Sequence, residues 1–151
     1  MRRFALLLAT LTASACLNLN VDSPLNVPTD PATETFDPSL QVDLSQMQRT
    51  AGGVYYKDLR PGTGATLGTQ PVVVVNFAGF VKSGARFSQG NNAQLVLANT
   101  ILGFQDGTRG MQEGGERQLV IPSALGYGSS PNAPVPPNST LIFDVVLVAI
   151  P

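Results

Sequence analysis

The chain has no histidine and no tryptophan, and cysteine occurs once, at Cys16. Without an imidazole, neither a Ser-His-acid triad nor a Cys-His pair can be assembled. A lone thiol excludes an intramolecular disulfide. Zinc sites draw on cysteine, histidine or grouped acids, and none are grouped here, so neither a metal nor a cofactor is implied. Charge is sparse as well, with 13% of residues charged and a formal net charge of -1. No basic run exists, which argues against nucleic acid as a partner, because affinity for a phosphate backbone leans on clustered cations. Glycine is plentiful, yet neither GxxxxGK[ST] nor a GxGxxG between strand and helix occurs, so pieces such as "RPGTGATLG" read as turns. Glu113 and Glu116, three apart among glycines, read as a solvated turn and not as a hydrolytic acid pair. The N-terminal apolar run from Phe4 to Leu11 is too short to cross a bilayer as a stable helix.

What that run does fit is an export signal. "MRRFALLLATLTASAC" carries two arginines, the apolar run, and then Ala13, Ser14 and Ala15 ahead of Cys16, which is the layout of a cleavable leader over residues 1–16. The setting of Cys16 resembles a bacterial lipoprotein cleavage site, although Ala13 stands where that site usually carries leucine. The expectation is an exported protein held in the bacterial cell envelope by lipidated Cys16, its only membrane contact, with a soluble secreted or periplasmic form as the alternative. Residues 17–49 follow as a tether in which Pro24, Pro28, Pro31 and Pro38 and five acids interrupt every apolar run. A short helix over Leu40 to Met47, packed on the domain, is the competing reading of that stretch. Residues 50–151 form the folded domain, and its nearly cancelling charges point to a monomer.

Within the domain, "GGVYYKDLRPG" reads as a strand and turn, and "QPVVVVNFAGFV" as a central β-branched strand. "ARFS" and "AQLVLA" read as two further strands, the second placing Leu95 and Leu97 on one face. The period then changes: Ile101, Phe104 and Thr108 lie at helical spacing, Gly103, Gly107 and Gly110 limit the helix to about two turns, and Asn99 or Thr100 is placed to cap it. "GGERQLVIP" and "TLIFDVVLVAI" are strands on either side of a long loop with Gly126, Gly128 and four prolines. Connections of hairpin length favour antiparallel pairing. The fold class is therefore α+β: an antiparallel sheet of five strands, or six, half-wrapped around one short helix.

A surplus of aromatic and aliphatic residues sits at loop edges: Phe77, Phe87, Ile101, Phe104, Tyr127, Val135 and Phe143. Core packing explains Phe77 and Phe143 equally well, whereas Tyr127 stands in a glycine-flanked loop with a hydroxyl that needs a partner. The order of the motifs is specific. "VNFAG" (Val75 to Gly79), "SGARFS" (Ser83 to Ser88), "TILGF" (Thr100 to Phe104), "IPSALGYG" and "VPPNSTLIFDVVL" make the chain from about Gly53 to Ile150 resemble an FK506-binding-protein-type (FKBP) peptidyl-prolyl cis-trans isomerase, a rotamase.

The resemblance implies a fold, an activity and a pocket. The prolyl-binding residues would be Phe77, Phe87, Ile101, Phe104, Tyr127 and Phe143, with Ser88, Thr100, Val135 and Pro136 at the rim and the stiff Pro134, Pro136 and Pro137 forming one wall. Ile101 would offer its N–H and Tyr127 its hydroxyl to substrate carbonyls. Partners would be X-Pro segments of unfolded or exported polypeptides and the macrolide inhibitors of the family. The sequence departs from the family at Phe77, where tyrosine is usual, at Ser88 for aspartate, at Phe104 for tryptophan and at Thr100 for valine. The aromatic usual in the strand before the helix falls near Ala93 or Gln94. Loss of the tyrosine and the aspartate removes both ends of one hydrogen bond, which costs less than losing one end. The chemistry such a pocket serves needs no nucleophile, so the missing histidine does not forbid it. Asp144, alternating with Leu141, Phe143 and Val145 along the last strand, is expected on the face away from the core.

Overall fold

A computed structural model of the protein describes residues 30–130 and 132–151. The leader and Cys16 lie outside the described residues. Six strands form one antiparallel sheet: β1 (Gln48–Arg49), β2 (Tyr55–Arg60), β3 (Val72–Val81), β4 (Arg86–Val96), β5 (Glu116–Ile121) and β6 (Leu141–Ala149). Their order across the sheet is β1-β2-β5-β6-β3-β4. One helix, α1 (Leu102–Thr108), crosses the concave face. The α+β class and the half-wrapped arrangement are as expected. The two strands read around Phe87 and Leu95 are one, bent where Asn92 takes φ 48° and the register against β3 shifts between Val75 and Phe77. An extra residue at such a bulge bends the strand without ending it.

The sheet sorts its residues by strand period. Val73 and Val75 of β3, Leu119 and Ile121 of β5, and Leu141, Phe143, Val145 and Leu147 of β6 point to the helix side and are buried. The helix can sit close to them because it presents glycine. A Cβ built on Gly103 would lie 2.2 Å from Ile121 Cγ2, and one on Gly107 would lie 2.8 Å from Leu119 Cδ2. Each glycine costs about 1 kcal/mol of helix propensity relative to alanine, and the close approach is what that cost makes room for. The expected caps are not used: Ile101 occupies the N-cap position without a side-chain hydrogen bond, while the Thr100 hydroxyl donates to Leu97 O at 2.7 Å. At the other end Arg117, 6% exposed, donates to Gly107 O and Arg109 O at 3.0 Å each. It also forks onto the Asp58 carboxylate at 2.6 and 3.1 Å and lies over the Tyr56 ring. Carbonyls that a helix end leaves unpaired are thereby satisfied by a cation, the sign that the helix dipole favours there.

The opposite face is covered by the segment read as an extended tether. From Asp30 to Met47 it makes three short 3-10 turns, at Pro31–Thr33, Pro38–Leu40 and Leu44–Gln46. Each begins at an aspartate, Asp30, Asp37 or Asp43, whose carboxylate accepts from the backbone N–H two residues on. The hydroxyls of Ser39 and Ser45 donate to Asp37 and Asp43 and hold both carboxyls below their usual range. The acids and prolines are thus turn-formers, and the apolar residues between them find the sheet. Leu40 packs with Val120 and Ile142, joined by Phe36, Val42, Leu44 and Met47. Asp37 N–H donates to Lys82 O at 2.8 Å, which ties the strap to the β3–β4 turn.

Asp144 faces this outer side and is half-buried. Gln118 Nε2 donates to it at 3.1 Å and to Leu40 O at 2.9 Å. Loss of water raises the Asp144 pKa; the Gln118 hydrogen bond opposes the rise and the nearby Glu116 charge adds to it. A raised carboxyl pKa means that the fold favours the protonated acid. The stability linked to that proton is complete below the ordinary value of 3.8 and is lost as pH climbs through the raised one. Asp144→Asn, neutral at every pH, is therefore expected to raise the melting temperature at pH 7, with the gain over the parent vanishing below pH 3.8; a lower melting temperature at pH 7 would contradict this. For the strap, Leu40→Ala is expected to cost about 2 kcal/mol, the low end for a buried leucine because a surface segment can settle into the gap. Urea denaturation reads the loss, and an unchanged midpoint would show that the strap carries no stability.

Candidate functional site: an aromatic pocket

Four elements and one loop bring five rings together on the concave side. β3 supplies Phe77, β4 Phe87, β6 Phe143, α1 Phe104 and the loop after β5 Tyr127. Their contacts run as a chain: Phe77 to Phe104 at 6.3 Å, Phe104 to Phe143 at 5.5 Å, Phe143 to Phe87 at 5.5 Å and Phe87 to Tyr127 at 6.2 Å, all edge-to-face. That geometry suits rings with a negative face and a positive rim. Phe104 is 3% exposed and forms the floor. Two strand glycines make room for the rings. A Cβ on Gly79 would meet Phe143 Cε1 at 2.7 Å, and one on Gly90 would meet Phe77 Cε1 at 2.6 Å.

The rings enclose an open cavity of about 220 Å³, lined also by Ser88, Leu95, Asn99, Thr100 and Ile101. No lining side chain carries a formal charge at neutral pH, and the polar atoms belong to Ser88, Asn99, Thr100 and Tyr127. Ser88 stands opposite Gly79 in the β3–β4 register, with Phe77 two residues earlier on β3. The described residues hold no group of three or more potential metal ligands, and no helix among them is long and apolar enough to cross a membrane.

Eight of the ten residues named from sequence meet here: Phe77, Phe87, Ser88, Thr100, Ile101, Phe104, Tyr127 and Phe143. Val135 and Pro136 do not line the cavity. Val135 N–H donates to Asn132 O at 2.7 Å, and the resulting turn tucks the valine into the core at 3% exposure. Pro134, Pro136 and Pro137 are left on the surface around it. The stretch from Pro134 to Pro137 is thus pinned by its valine and does not line the cavity, to which the same loop contributes Tyr127. Sequence reasoning missed Leu95 and Asn99. The signal for Leu95 was its shared face with Leu97, and it occupies the wall that Ala93 and Gln94 leave open.

Sequence and structure comparisons agree with this fold. The family model for the FKBP-type peptidyl-prolyl cis-trans isomerase matches residues 64–148. The chain is 34% identical over 106 residues to the FK506-binding protein of Neisseria meningitidis serogroup B, a match covering 66% of this chain and 97% of that protein. It is 33% identical over 111 residues to the FKBP-type peptidyl-prolyl cis-trans isomerase FkpA of Buchnera aphidicola, covering 71% of this chain but 46% of the relative. The crystal structure of FkpA from Escherichia coli superposes with a TM-score of 0.64 at 32% identity, covering 69% of this chain and 51% of that one. A peptidyl-prolyl cis-trans isomerase from Pseudomonas syringae gives 0.67 at 26% identity, covering 74% and 85%. Against the FkpA proteins, then, the chain spans about half of the relative's length or less. With its pocket and its sheet order already in place, the chain belongs to the FKBP-type peptidyl-prolyl cis-trans isomerase family.

Proposed function

We propose that the pocket takes the prolyl ring of an X-Pro segment and speeds rotation about its imide bond, assisting the folding of exported polypeptides. The observation that carries this reading is an aromatic-lined cavity with no charged side chain in its lining. The barrier to rotation is about 18 to 20 kcal/mol because the partial double bond must be broken. An apolar cavity disfavours the charge-separated planar imide relative to the twisted one. Aromatic walls hold the ring while the carbonyl swings, the Tyr127 hydroxyl donates to the imide carbonyl, and the Ile101 N–H donates to a neighbouring substrate carbonyl. Rate enhancement then comes from binding the twisted form better than either planar form.

Binding is the part of this reading that the residues support most directly. A second reading, a proline-binding module with little rate enhancement, is favoured by Phe104, which has no indole N–H, and by the joint presence of Phe77 and Ser88. A macrolide inhibitor of the family would compete for the same cavity. Export rests on the leader, and the protein would act in the bacterial cell envelope, either anchored through Cys16 or free. The folded unit would begin near Asp30, earlier than residue 50, because the strap is packed on the sheet.

The test is the cis-to-trans rate of an Ala-Leu-Pro-Phe peptide with the full chain and with Phe87→Ala and Tyr127→Phe. Acceleration by the parent is expected, with a loss of about five- to tenfold in Tyr127→Phe, the worth of one hydrogen bond, and a larger loss in Phe87→Ala. A folded parent that binds the peptide without accelerating it would leave the binding module.

A further inference from the structure

We propose that Gln105 is a positioning residue for the Ile101 N–H, the backbone donor at the lip of the pocket. The inference rests on the reading that this N–H meets a substrate carbonyl. Gln105 lies in the first turn of α1, and its Nε2 donates back across five residues to Thr100 O at 2.9 Å. Thr100 C=O and Ile101 N–H are the two ends of one peptide unit. Because that unit is planar and trans, its C=O and N–H point in opposite directions, and fixing one fixes the other. Gln105 therefore sets the direction in which Ile101 presents its proton. Accepting a hydrogen bond at the carbonyl also polarises the amide and strengthens its N–H as a donor.

The surrounding hydrogen bonds leave that N–H as the group on offer. Thr100 N–H donates to Leu97 O at 2.9 Å, joined by the Thr100 hydroxyl at 2.7 Å. Ile101 O accepts from Phe104 N–H at 3.0 Å and from Gln105 N–H at 3.3 Å. Among the described residues the Ile101 N–H itself has no partner, as is usual just ahead of a helix. Thr100 and Ile101 both line the cavity, whereas Gln105 approaches from the other side of the 97–100 turn, where it borders a groove with Leu97, Pro71 and Arg109. The glutamine thus holds the peptide unit from behind without touching a ligand in the pocket. Ionised glutamate could not replace it, since a carboxylate only accepts.

The test compares the full chain with Gln105→Glu, Gln105→Ala and Gln105→Lys, using the Ala-Leu-Pro-Phe peptide as probe. Three quantities are read: kcat/KM, the melting temperature, and the Ile101 amide proton shift with and without saturating peptide. Gln105→Glu and Gln105→Ala are expected to lower kcat/KM about fivefold in the folded protein and the melting temperature by a few degrees, the effects of losing one hydrogen bond. The Ile101 shift that the peptide induces should shrink with it. Gln105→Lys keeps a donor of sufficient reach and should recover most of the rate and the shift. If the parent binds without catalysis, the same fivefold effect is expected in Kd. Unchanged rate, Kd and shift in a folded Gln105→Glu would overturn the proposal, as would a lysine variant no better than alanine. A parent whose Ile101 amide ignores bound peptide would instead refute the reading of the site, and the role of Gln105 would fall with it.

Discussion

A two-turn helix seated directly on a curved sheet is the contact on which the rest of this molecule depends. The helix is too short to be stable by itself, since its few hydrogen bonds cannot offset the cost of nucleation. Gly103 and Gly107 let it approach Ile121 and Leu119 to a distance that no side chain would allow. Arg117 then fastens the far end by donating to the last carbonyls while its charge is met by Asp58. The arginine side chain is 7% exposed and the aspartate 45%, so the pair sits at the edge of the core, where one partner keeps its water and the desolvation cost is moderated. The Thr50 hydroxyl donates to Asp106 and accepts from Val54 N–H, which joins the loop ahead of β2 to the same helix.

The pocket follows from that seat. With the helix held low, Phe104 reaches the floor and meets Phe143 and Phe77, while Ile101 and Thr100 come to the lip. The strands answer with glycine where rings come too close for a side chain, at Gly79 and Gly90. What results is an open, ring-lined concavity with Thr100 and Ile101 at its edge. A pocket of this kind is assembled from residues that look, one at a time, like ordinary core.

Much of this was legible in the chain because strong local signals agree. The β-branched run Val72 to Val75, the alternation of Leu141, Phe143 and Val145, and the glycine-limited helix mark their elements without help from tertiary structure. The aromatic set was legible through the order of its motifs. Other features were hidden for physical reasons. Asp30, Asp37 and Asp43 look like the acids of a solvated tether, and only the sheet's outer face reveals them as caps that present Leu40 and Phe36. The bulge at Asn92 breaks the alternation that would have carried Leu95 into the site. Val135 was placed by its prolines, whose stiffness says nothing about which way a neighbouring side chain turns. Gln105 has no chemistry of its own, and its use depends wholly on where Thr100 lies.

The measurement that bears most directly on this account is the peptide affinity of Gly107→Ala, taken per folded molecule, together with the ring-proton shifts of Phe104. Gly107 does not line the cavity, and the added methyl would lie 2.8 Å from Leu119 Cδ2 and 3.1 Å from Val54 Cγ1, so it reaches the pocket only through the seat of the helix on those side chains. Overpacking of this kind costs about 1 to 3 kcal/mol. If the helix seat sets the pocket, the folded variant binds peptide about tenfold more weakly than the parent and the Phe104 shifts move, because a displacement of the floor changes every ring contact. A variant that is less stable, yet binds like the parent whenever folded and keeps its Phe104 shifts, would contradict the account.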